Sequence, residues 1–199
     1  MPHRRIAESR GTVFHVVNRS VRRVPLFAQP EDYDAFLRVL KESLYTVPTR
    51  LLAYCIMNNH WHLVVWPIAG ELPRFMHWLT MTHAKRWHVH RQSVGMGPVY
   101  QNRYHCVPIE RDAALLAVLR YVERNPLRAR LVERAEHWPW SSLAEQLRGG
   151  GGIPLSTWPI PRPGNWVEHV NHPVTAAELN AIRTAIKRDH SIDLVPCDE

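Results

Sequence analysis

The chain has 199 residues, enough for one domain of ordinary size plus an extension. With 45% hydrophobic residues it can pack a core without disulfides, and its three cysteines, Cys55, Cys106 and Cys197, are far apart and odd in number. That pattern argues against a disulfide scaffold or a zinc ribbon and fits a reducing cytoplasm. No apolar run has signal-peptide character or nears the ~18 residues of a membrane span, so a soluble cytoplasmic protein is expected. The net charge is +7, and within the first 25 positions Arg4, Arg5, Arg10, Arg19, Arg22 and Arg23 stand against Glu8 alone. A clustered basic segment favours polyanions, because each neutralised phosphate releases counterions.

In chain order, Thr12–Asn18 is β-branched and apolar and reads as a strand. Pro30, Glu31 and Asp32 open a helix, and Tyr33, Phe36, Leu37, Leu40 and Leu44 form its apolar stripe. Two apolar runs follow, 51–57 and 60–66, joined by Asn58-Asn59, a pair that tolerates the left-handed backbone of a tight hairpin. A second helix is expected over 72–88. Then come a glycine-containing loop at 93–98 and a strand over 99–109, which Pro108 limits to an edge or to the strand's end.

Asp112 is a good N-cap for a third helix, and Pro126 should end or kink it. The order strand, helix, strand, strand, helix, strand, helix predicts an α+β fold. It is the βαββαβ pattern of a ferredoxin-like or RRM-like sandwich, with an antiparallel sheet and helices on one face. Residues 1–145 form the expected domain. Residues 146–199 read as a Gly/Pro-rich linker, a helix from Thr175 with a capping box to Glu178 and stripe residues Leu179, Ile182 and Ile186, and a loose tail.

Two constellations carry possible chemistry. His60-Trp61-His62 opens a strand, so period-two alternation sends both imidazoles to one side, where they can chelate one divalent ion. With 13 histidines in 199 positions, about one such pair arises by chance, so spelling alone decides little. His88-Val89-His90 shows the contrast: on a helix, i and i+2 lie about 200° apart and cannot share a metal. Tyr121 and Asn125 lie four apart on the third helix and therefore on one face, shared with Ala114, Ala117 and Val118. Asn125 has a carbonyl oxygen suited to Mg²⁺ or Mn²⁺. A half-buried core tyrosine followed by an Asn-Pro helix end is the ordinary alternative.

The segments Asn58–Val64 (NNHWHLV), Gly97–Tyr104 (GPVYQNRY), Arg120–Val132 (RYVERNPLRARLV) and Trp138–Ser142 (WPWSS) together resemble the REP-associated tyrosine transposases. These belong to the His-hydrophobe-His superfamily, which includes transposases of the insertion sequence 200/605 type. The resemblance spans about residues 10–145. It implies a nuclease and strand transferase acting on single-stranded DNA that folds into hairpins. Tyr121 would be the nucleophile, and His60, His62 and Asn125 would hold Mg²⁺ or Mn²⁺. Trp61 is bulkier than the usual aliphatic residue between the histidines. Arg4, Arg5, Arg10, Arg19, Arg103, Arg120 and Arg124 are candidate DNA contacts, and Trp138 and Trp140 read as core anchors. The chain could act as a monomer or a homodimer. Rival readings are a non-catalytic RRM-like binder, a zinc hydrolase recruiting His105, and a relaxase or replication initiator of the same superfamily.

Overall fold

The computed structural model describes residues 11–109 and 112–174, with Asn180 and Thr184 as isolated positions beyond. Arg4, Arg5, Arg10 and the features expected at Thr175, Glu178, Leu179, Ile182 and Ile186 fall outside the described residues. The elements run β1 (Val13–Arg19), α1 (Pro30–Thr46), β2 (Thr49–Ile56), β3 (His60–Pro67), α2 (Leu72–His90), β4 (His105–Ile109), α3 (Asp112–Arg128), α4 (Ser142–Leu147) and α5 (Trp166–Asn171). The four strands make one sheet in the order β2-β3-β1-β4, antiparallel throughout. This is the expected α+β sandwich.

Strand alternation sorts the residues into two cores. On one face Phe14, Val16, Trp61, Leu63 and Val65 meet Phe36 and Leu40 of α1 and Phe75 and Leu79 of α2. On the other, Val13, Ala53, Cys55 and Val64 meet Leu115, Val118, Leu119 and Val122 of α3. The two helices of the βαββαβ unit thus share a face, as expected, and α3 closes the opposite one. At the start of α1, Asp32 accepts backbone N–H bonds from Ala28 (2.9 Å) and Gln29 (3.0 Å), satisfying donors that a helix start leaves open.

Four local expectations are corrected. The β2–β3 hairpin does not use left-handed asparagines, since neither Asn58 nor Asn59 has positive φ. Instead the segment after β1 clamps the turn: Leu26 and Phe27 donate to the Asn58 carbonyl, and Ser20 donates to that of Asn59. The strand expected over 99–109 is regular only from His105, although Tyr100 still bridges Ser20 and Gln101 N–H donates to the Arg19 carbonyl. Strand β4 is an edge, which suits Pro108.

Pro126 does not stop α3. It removes the N–H that would reach the Val122 carbonyl, but Asn125 Nδ2 lies 3.4 Å from that oxygen and 3.0 Å from the Tyr121 carbonyl. The helix continues to Arg128. Finally, the stretch read as a linker packs as part of the domain. Ile153, Trp158, Trp166 and Val170 are buried, Trp158 Nε1–H donates to the Leu52 carbonyl (3.0 Å), and Ser156 N–H donates to that of Leu51 (2.8 Å). Apolar tryptophans among the prolines make that segment a cover for α3 and β2, a feature its Gly/Pro content concealed.

A domain segment and a linker differ in energetics. Trp158→Ala should lower unfolding free energy by about 3–5 kcal/mol, the range for truncating a buried tryptophan, as read by urea denaturation. A loss within about 0.5 kcal/mol, as for a surface substitution, would restore the linker reading.

Candidate active site on the face covered by helix α3

His60 and His62 are both buried, at 4% and 2% exposure, and both point toward the α3 side of β3. Arg19 lies opposite His60 across the β1–β3 pairing, and Val17 lies opposite His62. Trp61 points the other way and is fully buried. Its Nε1–H donates to the Tyr100 hydroxyl (3.2 Å), whose oxygen lies 2.6 Å from His83 Nδ1. The middle residue of the motif is therefore the bolt that fixes the strand to the α1/α2 core.

Each imidazole of the pair is held through Nδ1. Asn59 Oδ1 lies 2.7 Å from His60 Nδ1, and Asn59 Nδ2 donates to the Arg23 carbonyl (3.1 Å). The amide orientation is thus set, and because Oδ1 can only accept, the His60 proton sits on Nδ1 and the Nε2 lone pair is left for a ligand. His62 Nδ1 lies 3.0 Å from Nε2 of a third histidine, His15 of β1, and the two rings stack at 5.2 Å with 8° between planes. His62 Nε2 is buried with no hydrogen-bond partner among the described residues.

Tyr121 of α3 completes the cluster. It is 6% exposed, and its ring stands edge-on to His62 (5.8 Å, 90°) and to His15 (6.1 Å, 82°). Asn125, one turn on and fully buried, reaches the cluster through Arg128: Arg128 Nη2 donates to Asn125 Oδ1 (2.9 Å), and the guanidinium lies 5.7 Å over the Tyr121 ring. The Asn125 oxygen keeps a second lone pair. His15 and Arg128 were not singled out in the sequence. His15 alternates with Val13 and Val17 on the α3 face, and Arg128 follows Tyr121 by seven residues, two helical turns, so both periodicities would have indicated them.

Burial dominates the electrostatics. Loss of solvation pushes His60 down to about 3 and His15 to about 4, and holds His62 well below the ordinary imidazole range. For His60 and His62 the positive charges of Arg19 and Arg128 add to this, and for His62 so do the neighbouring imidazoles. Both rings are neutral at pH 7, with lone pairs available to a metal. Two guanidinium groups beside neutral imidazoles make a setting that favours a phosphate.

The other candidates separate. Arg19 belongs to this cluster by register and charge. Arg103 is exposed in the loop before β4. Arg120 and Arg124 were expected near phosphates, but their guanidinium groups hold the end of α5. Arg120 Nη2 donates to the carbonyls of His172 (2.9 Å) and Pro173 (3.3 Å), and Arg124 Nη1 donates to those of Val170 (2.6 Å) and Asn171 (2.7 Å). Both also line a cavity of about 310 Å³ beside Tyr121 and Arg128. Among the described residues no group of three or more His, Cys, Asp or Glu side chains is placed to hold a metal, so His105 does not join the pair. His88 lies at the end of α2 and bonds Ser93 (2.9 Å), away from the cluster.

Comparison with known proteins gives the family and the fold. A model of the family described as "Transposase IS200 like" matches residues 9–125, from just before β1 through Asn125 and over more than half of the chain. The chain belongs to the IS200-like transposase family. Among solved structures, a REP-associated tyrosine transposase bound to a REP hairpin superposes with a TM-score of 0.60 at 19% identity, over 77% of this chain and 88% of that one. At that identity the likeness is one of fold. A candidate transposase from Deinococcus radiodurans R1 gives a TM-score of 0.45 at 17% identity, over 62% of this chain and 96% of its own. No curated protein matches the chain.

The buried imidazoles have a measurable consequence. Unfolded histidines titrate near 6.5, so between about pH 4 and that value the unfolded chain binds more protons than the folded one. Stability is then full above 6.5 and falls as pH drops. His15, His60, His62 and His83 all act in this direction. Glu123, pushed up by burial, acts in the other. The Tm of the metal-free protein should fall steadily from pH 7 to pH 5 in calorimetry. A level Tm across that window would mean the imidazoles are not buried in neutral form.

Proposed function

We propose that the protein is an endonuclease and strand transferase for single-stranded DNA, with Tyr121 as its nucleophile. The observation that supports this most is the edge-on approach of the Tyr121 ring to His62, within a cluster flanked by Arg19 and Arg128. In this reading the phenol oxygen attacks a backbone phosphorus. An O–P bond to tyrosine forms, the bond to the 3′ oxygen breaks, and that oxygen leaves as a 3′-hydroxyl after taking up a proton. The 5′-phosphotyrosine retains the energy of the broken bond, so a 3′-hydroxyl can reverse the step and join strands.

The chain's own residues divide the remaining work. Arg128 and Arg19 place positive charge where the phosphate oxygens would lie. The small residues Ala113 and Ala117, beside Leu116, line the cavity next to Tyr121 and leave room for a nucleotide flanking the scissile bond. The paired Nε2 lone pairs of His60 and His62, with the Asn125 carbonyl oxygen, fit a hard-to-borderline divalent ion such as Mg²⁺ or Mn²⁺. When bound, such an ion supplies Lewis-acid polarisation of the phosphate and orients it for in-line attack. The expected substrate is DNA that folds into a hairpin, in keeping with the ligand of the structurally similar REP-associated transposase.

A non-catalytic RRM-like role fits the fold less well. Such modules read nucleic acid on the open face of the sheet, and here α3 covers that face.

Wild-type protein incubated with single-stranded hairpin oligonucleotides and Mn²⁺ should yield a denaturant-resistant protein–DNA band. Tyr121→Phe should lose that band, with cleavage reduced by at least about 10³-fold, while hairpin affinity changes little. Cleavage that survives Tyr121→Phe would point to a metal hydrolase. No adduct from the wild type under any divalent ion would favour a binder.

A further inference from the structure

We propose that His15 is a positioning residue that holds His62 with its proton on Nδ1, so that Nε2 is the atom offered to the metal. The proposal rests on the reading of His60 and His62 as ligands and extends it to a residue outside that set. His15 Nε2 and His62 Nδ1 are 3.0 Å apart with the rings nearly parallel. That hydrogen bond can run in only two directions between neutral rings. If His15 donates, His62 carries its proton on Nε2, and neither of its nitrogens can ligate. If His62 donates, His15 accepts on Nε2 and the His62 Nε2 lone pair is free. A metal on His62 therefore requires the second arrangement.

Three further observations support it. His60 is already held the same way, its Nδ1 proton committed to Asn59 Oδ1, so the two rings would present equivalent nitrogens. His62 Nε2 is buried without a hydrogen-bond partner among the described residues, the state of an atom shaped for a ligand rather than for the protein. His15 itself is 2% exposed between Val13 and Val17 on its strand face, and its Nδ1 also makes no hydrogen bond among the described residues. A buried polar atom left this way costs free energy that an apolar residue of similar size would avoid. A histidine kept there against that cost has a use for its other nitrogen, and that nitrogen touches His62.

Residues that orient metal-bound imidazoles in this manner typically change metal affinity 10–100-fold when removed. The test combines Mn²⁺ titration of DNA-free protein by calorimetry with ¹⁵N NMR of the histidine rings in the diamagnetic Zn²⁺-loaded wild type. His15→Phe, which keeps a ring but removes the acceptor, should weaken Mn²⁺ binding about 10–100-fold. His15→Gln, whose amide oxygen reaches the place of Nε2 and accepts the same bond, should recover most of that loss. The NMR spectrum should show His62 protonated on Nδ1 and metallated on Nε2. Wild-type affinity in a folded His15→Phe variant, or metal on His62 Nδ1, overturns the proposal and leaves the ligand pair standing. Absence of any Mn²⁺ binding by the wild type overturns both. If His15→Phe does not fold, the wild-type NMR assignment still decides.

Discussion

The site depends on the pleat of one strand. In β3, successive side chains face opposite sides, and this single geometric rule gives Trp61 to the α1/α2 core and both flanking imidazoles to the face beneath α3. The size of Trp61 matters here. A fully buried indole, hydrogen-bonded to Tyr100 and through it to His83, resists any slip of the strand. A shift of one residue would exchange the two faces and put the histidines in the core. The bulk that departs from the usual aliphatic residue of the motif is thus what secures its register.

Helix α3 has the matching task of delivering Tyr121 to that face. Its grip on the sheet is apolar, through Leu115, Val118, Leu119 and Val122, and its other side is braced by α5. Glu123 joins these layers: its buried carboxylate accepts from Ser142 (2.6 Å) and from Trp166 Nε1–H (2.6 Å). Arg120 and Arg124 hold the end of α5 through its carbonyls, the negative end of a helix. The segment after residue 145 therefore helps to seat the tyrosine helix, although it lies outside the stretch that the family model matches. Within the cluster, burial keeps the imidazoles neutral while Arg19 and Arg128 supply the positive charge, which lowers the imidazoles further.

Much of this was legible in the sequence because it follows from periodicity. The alternation of His60 and His62 and the four-residue spacing of Tyr121 and Asn125 are local, and the sheet order follows from the element order. The four motif segments pointed to the family that the residues 9–125 match then gave. What stayed hidden was non-local. Alternation puts His15 on one face with Val13 and Val17, but that it meets His62 is set by the β1–β3 pairing. The asparagine hairpin reads as a left-handed turn in isolation, and only its clamping by residues 20–27 shows otherwise. Pro126 reads as a helix end or kink, and the continuation to Arg128 shows only once Asn125 is seen beside the Val122 carbonyl that Pro126 leaves without its N–H. The arginines at 120 and 124 share a helix with Tyr121 but point to a partner segment, α5, whose position nothing in the motif encodes.

The central claim is that two imidazoles from one strand face together bind a single divalent ion. Pulsed electron paramagnetic resonance of Mn²⁺-loaded protein with ¹⁵N-labelled histidine tests it most directly. Coupling to two histidine nitrogens is expected in the wild type, reduced to one in His60→Ala and in His62→Ala. Coupling to none, or to histidines that persist unchanged in both variants, would contradict it.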